Sequence, residues 1–276
     1  MKVAVCIHGQ LRGDEETFRS IKENLIDPND ADVFVHSWSY KKDVDYTPVV
    51  REEIKPLVDY SVKPHRAWTL DEDERRRISV ENLALISEIF EPKRFLVEEQ
   101  IMFDASEYVL IKPQNLPTGE ETSKLGLCTL QMIEAYQRGK SQHLTKMKSF
   151  NLIEDPSQYD LIYFTRNDLL MVQNLALESI TPQRKGVFGA GNNSFVGDQW
   201  YYGDPESMSI VCDFYNAYDD ILSNQNNGHN AQHNEWHFGT HFRNNNLQIV
   251  NVPLRSYYSQ ELNQGVRYSK YQRQFL

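Results

Sequence analysis

The chain has 276 residues, of which 40% are apolar and 12% aromatic, so it can bury a sizeable core and is not disordered over most of its length. Its 29 Lys and Arg residues against 39 Asp and Glu residues give a formal net charge of -10. This charge repels phosphate backbones, which argues against nucleic acids and anionic membrane surfaces as partners.

Three widely spaced cysteines, Cys6, Cys128 and Cys212, lie in apolar runs. An odd number in such surroundings predicts reduced, buried thiols rather than a disulfide framework, and therefore a cytoplasmic protein. No run approaches the roughly 18 apolar residues of a membrane span, and the run that starts at Lys2 lacks the features of a secretion signal. We therefore expect no integral membrane segment.

The first predicted unit is a strand over Met1 to His8, followed by a glycine-containing loop over residues 9–13 and a helix with apolar residues at helical spacing. A second buried strand is predicted over Ala31 to Trp38, with polar residues on both sides. Strands that alternate with helices predict an α/β fold with a mainly parallel central sheet and helices on both faces.

The middle of the chain predicts a less regular unit. An edge strand over Val58 to Val62 precedes a charged helix over Asp71 to Phe90 and a short strand over Arg94 to Val97. Residues 104–119 are rich in Pro and turn residues and predict no element. A helix is then predicted from the N-cap Ser123 to Gly139, where a glycine favours its end.

The second half begins with the most hydrophobic strand, Tyr159 to Thr165, which runs directly into Arg166-Asn167-Asp168. No internal repeat or linker is visible, which predicts a single domain. The remaining predicted elements are short strands over Gly186 to Gly191 and Asp198 to Tyr202, helices over Pro205 to Leu222 and Asn234 to Asn244, and a last strand over Leu247 to Val252.

The loop Gly9-Gln10-Leu11-Arg12-Gly13 is the first candidate site. Glycines at the end of a strand let backbone N–H groups approach a phosphate, and the planar fork of Arg12 suits phosphate oxygens. The spacing is neither the dinucleotide pattern GxGxxG nor a P-loop, which argues against hydride transfer and ATP hydrolysis. A tight strand-to-helix turn that merely requires glycine is the alternative.

The triplet Arg166-Asn167-Asp168 is the second candidate site. A carboxylate at the carboxyl end of a buried parallel strand lies where open α/β sheets bind ligands, and its oxygens suit Mg²⁺ or Mn²⁺ bridging a diphosphate. A surface turn with an Arg–Asp pair is the alternative.

The stretch Gly197-Asp198-Gln199-Trp200-Tyr201-Tyr202-Gly203 combines a carboxylate and an amide with three aromatic residues. Aromatic faces pack on sugar rings while polar groups bind sugar hydroxyls, so this composition suits a carbohydrate pocket. An aromatic core strand is the alternative.

Four histidines, at 229, 233, 237 and 241, recur every four residues. Their surroundings do not match the zinc-protease pattern HExxH, so solvated or core histidines are expected. Glu235 begins the last predicted helix, where it would act as a general base near a pocket or only interact with the helix dipole.

The order of these pieces resembles nucleotide-sugar-dependent glycosyltransferases of the GT-A type, in the small group that replaces the usual DxD by Arg-x-Asp after an apolar strand. The resemblance covers most of the chain and leaves residues 40–120 poorly matched. The segments that carry it are VAVCIHGQLRG, DVFVHSW, YDLIYFTRNDLLM, DQWYYGDPESM and NEWHFGTHFRNNNLQIV.

The resemblance implies a single Rossmann-like GT-A domain over 1–276, with a nucleotide-binding half over 1–170 and an acceptor-side half over 171–276. In this scheme Asp168 holds Mn²⁺ or Mg²⁺ against the donor diphosphate, and Asp198 and Glu235 are the candidate catalytic residues. The residues implied to line the nucleotide site are Gly9, Gln10, Arg12, Gly13 and Arg166, the last in place of the first aspartate of DxD.

The expected reaction moves a hexosyl or pentosyl group from a nucleoside diphosphate sugar to a hydroxyl of a glycan or glycolipid acceptor. The donor diphosphate leaves with negative charge, which the site must stabilise. A non-catalytic carbohydrate-binding protein is one alternative, and a nucleotidyltransferase or nucleotide hydrolase on a similar sheet is another.

Overall fold

A computed structural model gives the structure of the chain. The residues that it describes are 1–11, 13–39, 50–61, 72–111, 127–171, 174–180, 186–192, 195–223, 234–251 and 266–268.

Strands and helices alternate along the first two thirds of the described chain, as the apolar patterns predict. The strands are Val3–Gln10 (β1), Asp32–Trp38 (β2), Val58–Asp59 (β3), Arg94–Glu98 (β4), Cys128–Thr129 (β5), Leu161–Arg166 (β6), Leu169–Met171 (β7), Val187–Asn192 (β8), Phe195–Gly203 (β9), Ile249–Asn251 (β10) and Val266–Tyr268 (β11). The α-helices are Glu15–Ile21 (α1), Glu72–Phe90 (α2), Ser106–Ile111 (α3), Leu130–Asn151 (α4), Leu177–Ile180 (α5), Pro205–Ser223 (α6) and Asn234–Asn244 (α7).

Seven of the described strands form a central sheet in the order β10-β8-β9-β6-β1-β2-β4. The pairs β1–β2, β1–β6, β2–β4 and β8–β10 are parallel, whereas β9 runs antiparallel to both of its neighbours. This mostly parallel sheet confirms the predicted α/β class and is consistent with a Rossmann-like arrangement.

Helices cover both faces of the sheet, because alternate residues of each strand point to opposite sides. On one face, Val5 and Tyr163 pack with Phe18 of α1 and Ile86 of α2. The opposite face carries a second apolar cluster that includes Cys6 and Phe164 of the sheet with residues of α4, α6 and α7. The flanking helices that the sequence predicts are thereby confirmed.

The predicted helix over Ser123 to Gly139 is wrong in both of its bounds. The helix α4 begins after Thr129, whose hydroxyl accepts the N–H of Met132 at 3.3 Å, and it continues to Asn151. Residues 123–126 lie outside the described residues. Gly139 does not end the helix: a Cβ there would meet the hydroxyl of Tyr218 in α6, so the glycine permits a close approach of the two helices.

Two smaller predictions also change. The first strand continues through Gln10, so Gly9 lies inside β1, and α1 starts only after Asp14, whose carboxylate caps it by accepting the N–H of Thr17 at 3.0 Å. The Pro-rich stretch after residue 103 contains the short helix α3.

All three cysteines are buried and free of disulfide bonds, as predicted. Burial raises the pKa of the Cys6 thiol far above its ordinary value, since the thiolate would lose its hydration there. Within the described ranges, every helix is too short or too polar to traverse a lipid bilayer.

Candidate functional site

The strand order changes direction between β1 and β6. From β1 the chain passes through α1 on one face of the sheet to reach β2, and it later reaches β6 through α4 on the other face. The carboxyl ends of β1 and β6 therefore flank a topological switch point, where open α/β sheets bind ligands. Both candidate motifs, the glycine loop and the Arg-Asn-Asp triplet, lie at these two strand ends.

The glycine loop and the triplet touch directly. A Cβ on Gly13 would lie under 3.0 Å from both the ring of Phe18 and the backbone oxygen of Asn167, a distance that real Cβ atoms do not show. Gly9 has a φ of 111°, in a region that L side chains avoid, and its carbonyl accepts the hydroxyl of Ser37 at 2.7 Å. Glycine is thus required at both positions for physical reasons.

The same loop is held from the α2 side of the sheet. The buried amide Nδ2 of Asn82 donates to the carbonyl of Gly13 at 2.8 Å and to that of Leu11 at 3.4 Å. The amide therefore fixes the backbone on both sides of Arg12. Arg12 itself, which we predict to face the same ligand, lies outside the described residues.

Arg166 and Asp168 form a two-pronged ion pair. The guanidinium Nε donates to Oδ1 at 2.9 Å and Nη2 donates to Oδ2 at 2.7 Å. Only 18% of the Arg166 side chain and 3% of the Asp168 side chain are exposed. The Arg–Asp pair expected as the alternative is present, but it is buried at the switch point and does not form an exposed surface turn.

This pairing bears on the predicted divalent cation. Mg²⁺ and Mn²⁺ take several oxygen ligands, and Asp168 is the metal ligand that the sequence predicts. Both of its oxygens accept hydrogen bonds from Arg166. Among the described residues, no group of three or more His, Cys, Asp or Glu side chains is placed to hold a metal ion. The described donor set therefore does not fit a metal site at Asp168.

A row of basic side chains crosses the sheet one step below its carboxyl edge. His8 of β1 is in register with His36 of β2 on one side and with Arg166 of β6 on the other. Because paired residues of parallel strands point to the same face, all three face α4. Lys146 of α4, itself 1% exposed, lies on this face of the sheet and places its ammonium 5.1 Å and 5.0 Å from the ring centres of Tyr201 and Phe238.

His8 is fully buried, and neither of its ring nitrogens has a hydrogen-bond partner among the described residues. Burial holds the pKa of His8 well below its ordinary value, and the charges of Lys146 and Arg166 lower it further. His8 is therefore a neutral imidazole at physiological pH.

His36 has a different environment. Its Nε2 donates to Oε2 of Glu98 at 2.8 Å, and Lys148 donates to the same carboxylate oxygen. Burial lowers the pKa of His36, and it outweighs the opposite effect of Glu98. The negative charge of Glu98 is thus shared between Lys148 and His36, on the β4 side of the row.

Gln10 belongs to a chain of hydrogen bonds along the carboxyl edge. Its Nε2 donates to Oε1 of Gln100 at 2.9 Å, and Nε2 of Gln100 donates to Oγ of Ser141 at 3.3 Å. The same hydroxyl accepts the indole N–H of Trp38 at 2.9 Å. The predicted nucleotide-site residue Gln10 is therefore half-buried and held in place by residues from β2, α4 and the end of β4.

The predicted carbohydrate pocket is not found at the aromatic residues of β9. Trp200, Tyr201 and Tyr202 are all buried. Tyr163 stacks on Trp200 and Tyr202 with centroid distances of 6.1 Å and 5.6 Å. These rings fill the cores on the two faces of the sheet, so the alternative of an aromatic core strand is correct. The structure describes only the backbone of Asp198, in β9.

Glu235 lies in the first turn of α7 and is half-buried. The helix packs on β9 and α6, on the same face of the sheet as His8. The neighbouring Asn234 accepts a hydrogen bond from Nε2 of His143 at 3.0 Å.

The histidine stripe separates into two parts. His237 and His241 are buried, and His241 donates to the carbonyl of Ile210 at 2.7 Å, so they are core residues as expected. His229 and His233 lie outside the described residues.

Sequence reasoning missed His8, His36 and Lys146 as parts of the site. The two histidines each end an apolar β-run, and a polar residue at the carboxyl end of a buried strand is the signal that identifies them. The burial of Lys146 is harder to predict from the sequence, because most lysines in helices lie on exposed faces.

The sequence was compared with models of known protein families and with curated proteins. Neither comparison gives a match. The functional assignment therefore depends on the arrangement of the side chains at the switch point.

Proposed function

We propose that this protein is a glycosyltransferase of the GT-A type, which moves a sugar from a nucleoside diphosphate sugar to a hydroxyl of a glycan or lipid-linked glycan. One observation carries the proposal: the glycine loop after β1 and the Arg-Asn-Asp triplet after β6 meet at the topological switch point, with Gly13 against the carbonyl of Asn167. The residues that resemble this class in the sequence are thus neighbours in space.

The chemistry of this edge of the sheet suits a diphosphate leaving group. No described atom lies within 4 Å of the position that a Cβ on Gly9 would take, which leaves room for phosphate oxygens beside the backbone. Arg166 supplies a fixed positive charge beside them. A positive charge that is already in place when the bond between the sugar and the diphosphate breaks stabilises the negative charge that develops on the diphosphate, without further reorganisation.

The acceptor side of the reaction assigns a role to Glu235 or Asp198. In an inverting transfer, one carboxylate takes the proton of the acceptor hydroxyl as its oxygen attacks the sugar carbon. The position of Glu235 at the start of α7, on the face that carries His8, supports it as the candidate. The Mn²⁺ or Mg²⁺ expected from the resemblance stays a prediction.

The proposal is tested by screening a panel of nucleotide sugars for thermal stabilisation of the full chain. A ligand that binds only the folded state raises its stability by an amount that grows with its affinity. We expect one nucleotide sugar to stabilise the protein and to be slowly hydrolysed to a nucleoside diphosphate. Release of pyrophosphate or monophosphate would indicate a nucleotidyltransferase or hydrolase, and binding of glycans without nucleotides would indicate a carbohydrate-binding protein.

Variants of Asp168 add a second test. We expect Asp168→Ala to abolish transfer, but the buried pair makes it a poor choice on its own, since loss of one partner of such a pair costs about 3–5 kcal/mol. Asp168→Asn keeps the shape and one acceptor oxygen but loses the charge, so its melting temperature is measured beside its activity. A folded Asp168→Asn or Asp168→Ala variant with near-normal transfer would contradict a role for this carboxylate.

A further inference from the structure

We propose that the switch-point site holds the diphosphate of its nucleotide ligand with two side chains of the protein, the guanidinium of Arg166 and the imidazole of His8, and that this binding does not require a divalent cation. The inference rests on the proposed function, since it takes a nucleoside diphosphate as the ligand. It goes further by assigning the charge-neutralising role to side chains.

The first argument concerns Asp168. Its carboxylate, 3% exposed, receives two charge-assisted hydrogen bonds from one guanidinium. A cation bound to the same oxygens would lie beside the positive charge of Arg166 in a nearly dry environment, where repulsion between like charges is strong. Asp168 thus acts as a positioning residue that orients the Arg166 guanidinium.

The second argument concerns the charge of Arg166. Only 18% of this side chain is exposed, so little water screens its charge. Such a charge acts more strongly on a ligand than an exposed one does.

The third argument concerns His8. A fully buried imidazole with both nitrogens unpartnered among the described residues is rare, because a buried polar group without a hydrogen bond destabilises the fold. His8 also precedes Gly9, the first residue of the glycine loop, and it is in register with Arg166. A neutral imidazole donates one N–H, and a bound anion supplies the acceptor that this donor lacks.

The test measures binding of UDP, GDP, ADP and CDP to the full chain by calorimetry, once with excess EDTA and once with millimolar Mn²⁺. We expect the preferred diphosphate to bind in EDTA with an affinity within about twofold of that in Mn²⁺. Binding that needs Mn²⁺, or that Mn²⁺ tightens about tenfold or more, would overturn the inference and leave the proposed function standing. Failure of every diphosphate to bind in both conditions would overturn the proposed function as well.

Charge variants test the role of Arg166. We expect Arg166→Gln to weaken diphosphate binding in EDTA about tenfold or more, because a charge-assisted contact is lost. The matched control is Arg94→Gln, which removes the same charge at the opposite edge of the sheet, from an exposed pair with Glu154. Equal effects of the two substitutions would contradict a specific role of Arg166.

A His8→Leu variant distinguishes ligand binding from a structural role. It removes two unpartnered buried nitrogens, so we expect the melting temperature of the ligand-free protein to rise. The affinity for the diphosphate in EDTA should fall about threefold or more, since one donor is lost. A structural role alone would not move these two quantities in opposite directions. Unchanged affinity in a folded His8→Leu variant would remove His8 from the proposal.

Discussion

A single methyl group at Gly13 should separate the two halves of the candidate site. In Gly13→Ala the new Cβ would lie under 3.0 Å from the ring of Phe18 and from the carbonyl oxygen of Asn167, where 3.4–4 Å is ordinary contact. The loop after β1 and the turn after β6 must therefore move apart by about 1 Å, an overpacking that typically costs about 1–3 kcal/mol. For a domain of this size the melting temperature should fall by roughly 2–12 °C.

Two measurements check this expectation. Differential scanning calorimetry gives the fall in melting temperature, and hydrogen–deuterium exchange should quicken in both segments, residues 9–15 and 166–171, because they share the contact. A Gly13→Ala, Phe18→Leu double variant relieves the ring contact, so its loss of stability should be smaller than the sum of the losses in the two single variants. A melting temperature within about 1 °C of the wild type, with unchanged exchange in both segments, would refute the close approach.

Two further substitutions test the packing around the site. Asp204 caps α6 by accepting the N–H of Ser207 at 3.0 Å. Asp204→Ala should therefore lower the free energy of unfolding, measured by thermal denaturation, by about 0.5–2 kcal/mol. Asp204→Asn keeps a capping oxygen and should lower it less. Burial raises the pKa of Asp204, but hydrogen bonds from Ser207 and Gly186 outweigh it and lower the pKa overall. The stability that the Asp204 carboxylate contributes is therefore fully present above the ordinary aspartate pKa and is lost as the pH falls through the lowered value. A destabilisation by Asp204→Ala that is the same in acid would contradict this. Ser141→Ala removes the acceptor of the buried Trp38 indole N–H and should lower the free energy of unfolding by about 1–3 kcal/mol and change the tryptophan fluorescence. An unaltered melting temperature would show that another acceptor replaces the Ser141 hydroxyl.

Local patterns predict the elements whose signals lie within the element. The helix Asn234–Asn244 is found with the predicted bounds, and β4 differs from its prediction by one residue. The start of α4 is predicted wrongly because its N-cap is Thr129, whereas Ser123, six residues earlier in the chain, also carries a hydroxyl suited to capping. Its end is missed because Gly139 serves a contact with α6, which no local pattern contains.

The candidate site is predictable only in part, for a similar reason. The strand ends that carry Gly9 and Asp168 follow from apolar runs and from the general behaviour of parallel sheets. The contact between Gly13 and Asn167 depends on the pairing of β1 with β6, which are far apart in sequence. The burial of Asp168 depends on the same pairing, so its ion pair could be proposed from the sequence but not placed.

The amide of Asn82 links the glycine loop to α2, a helix that has no residue in the predicted site. Because this amide holds the carbonyls of Leu11 and Gly13, the backbone geometry of the loop depends on where α2 sits against the sheet. The segment between β2 and β4, for which the family resemblance offers little, thereby gains a role in setting the geometry of the glycine loop. Substitutions in α2 therefore offer a way to change the geometry of this loop without altering the residues of the candidate site.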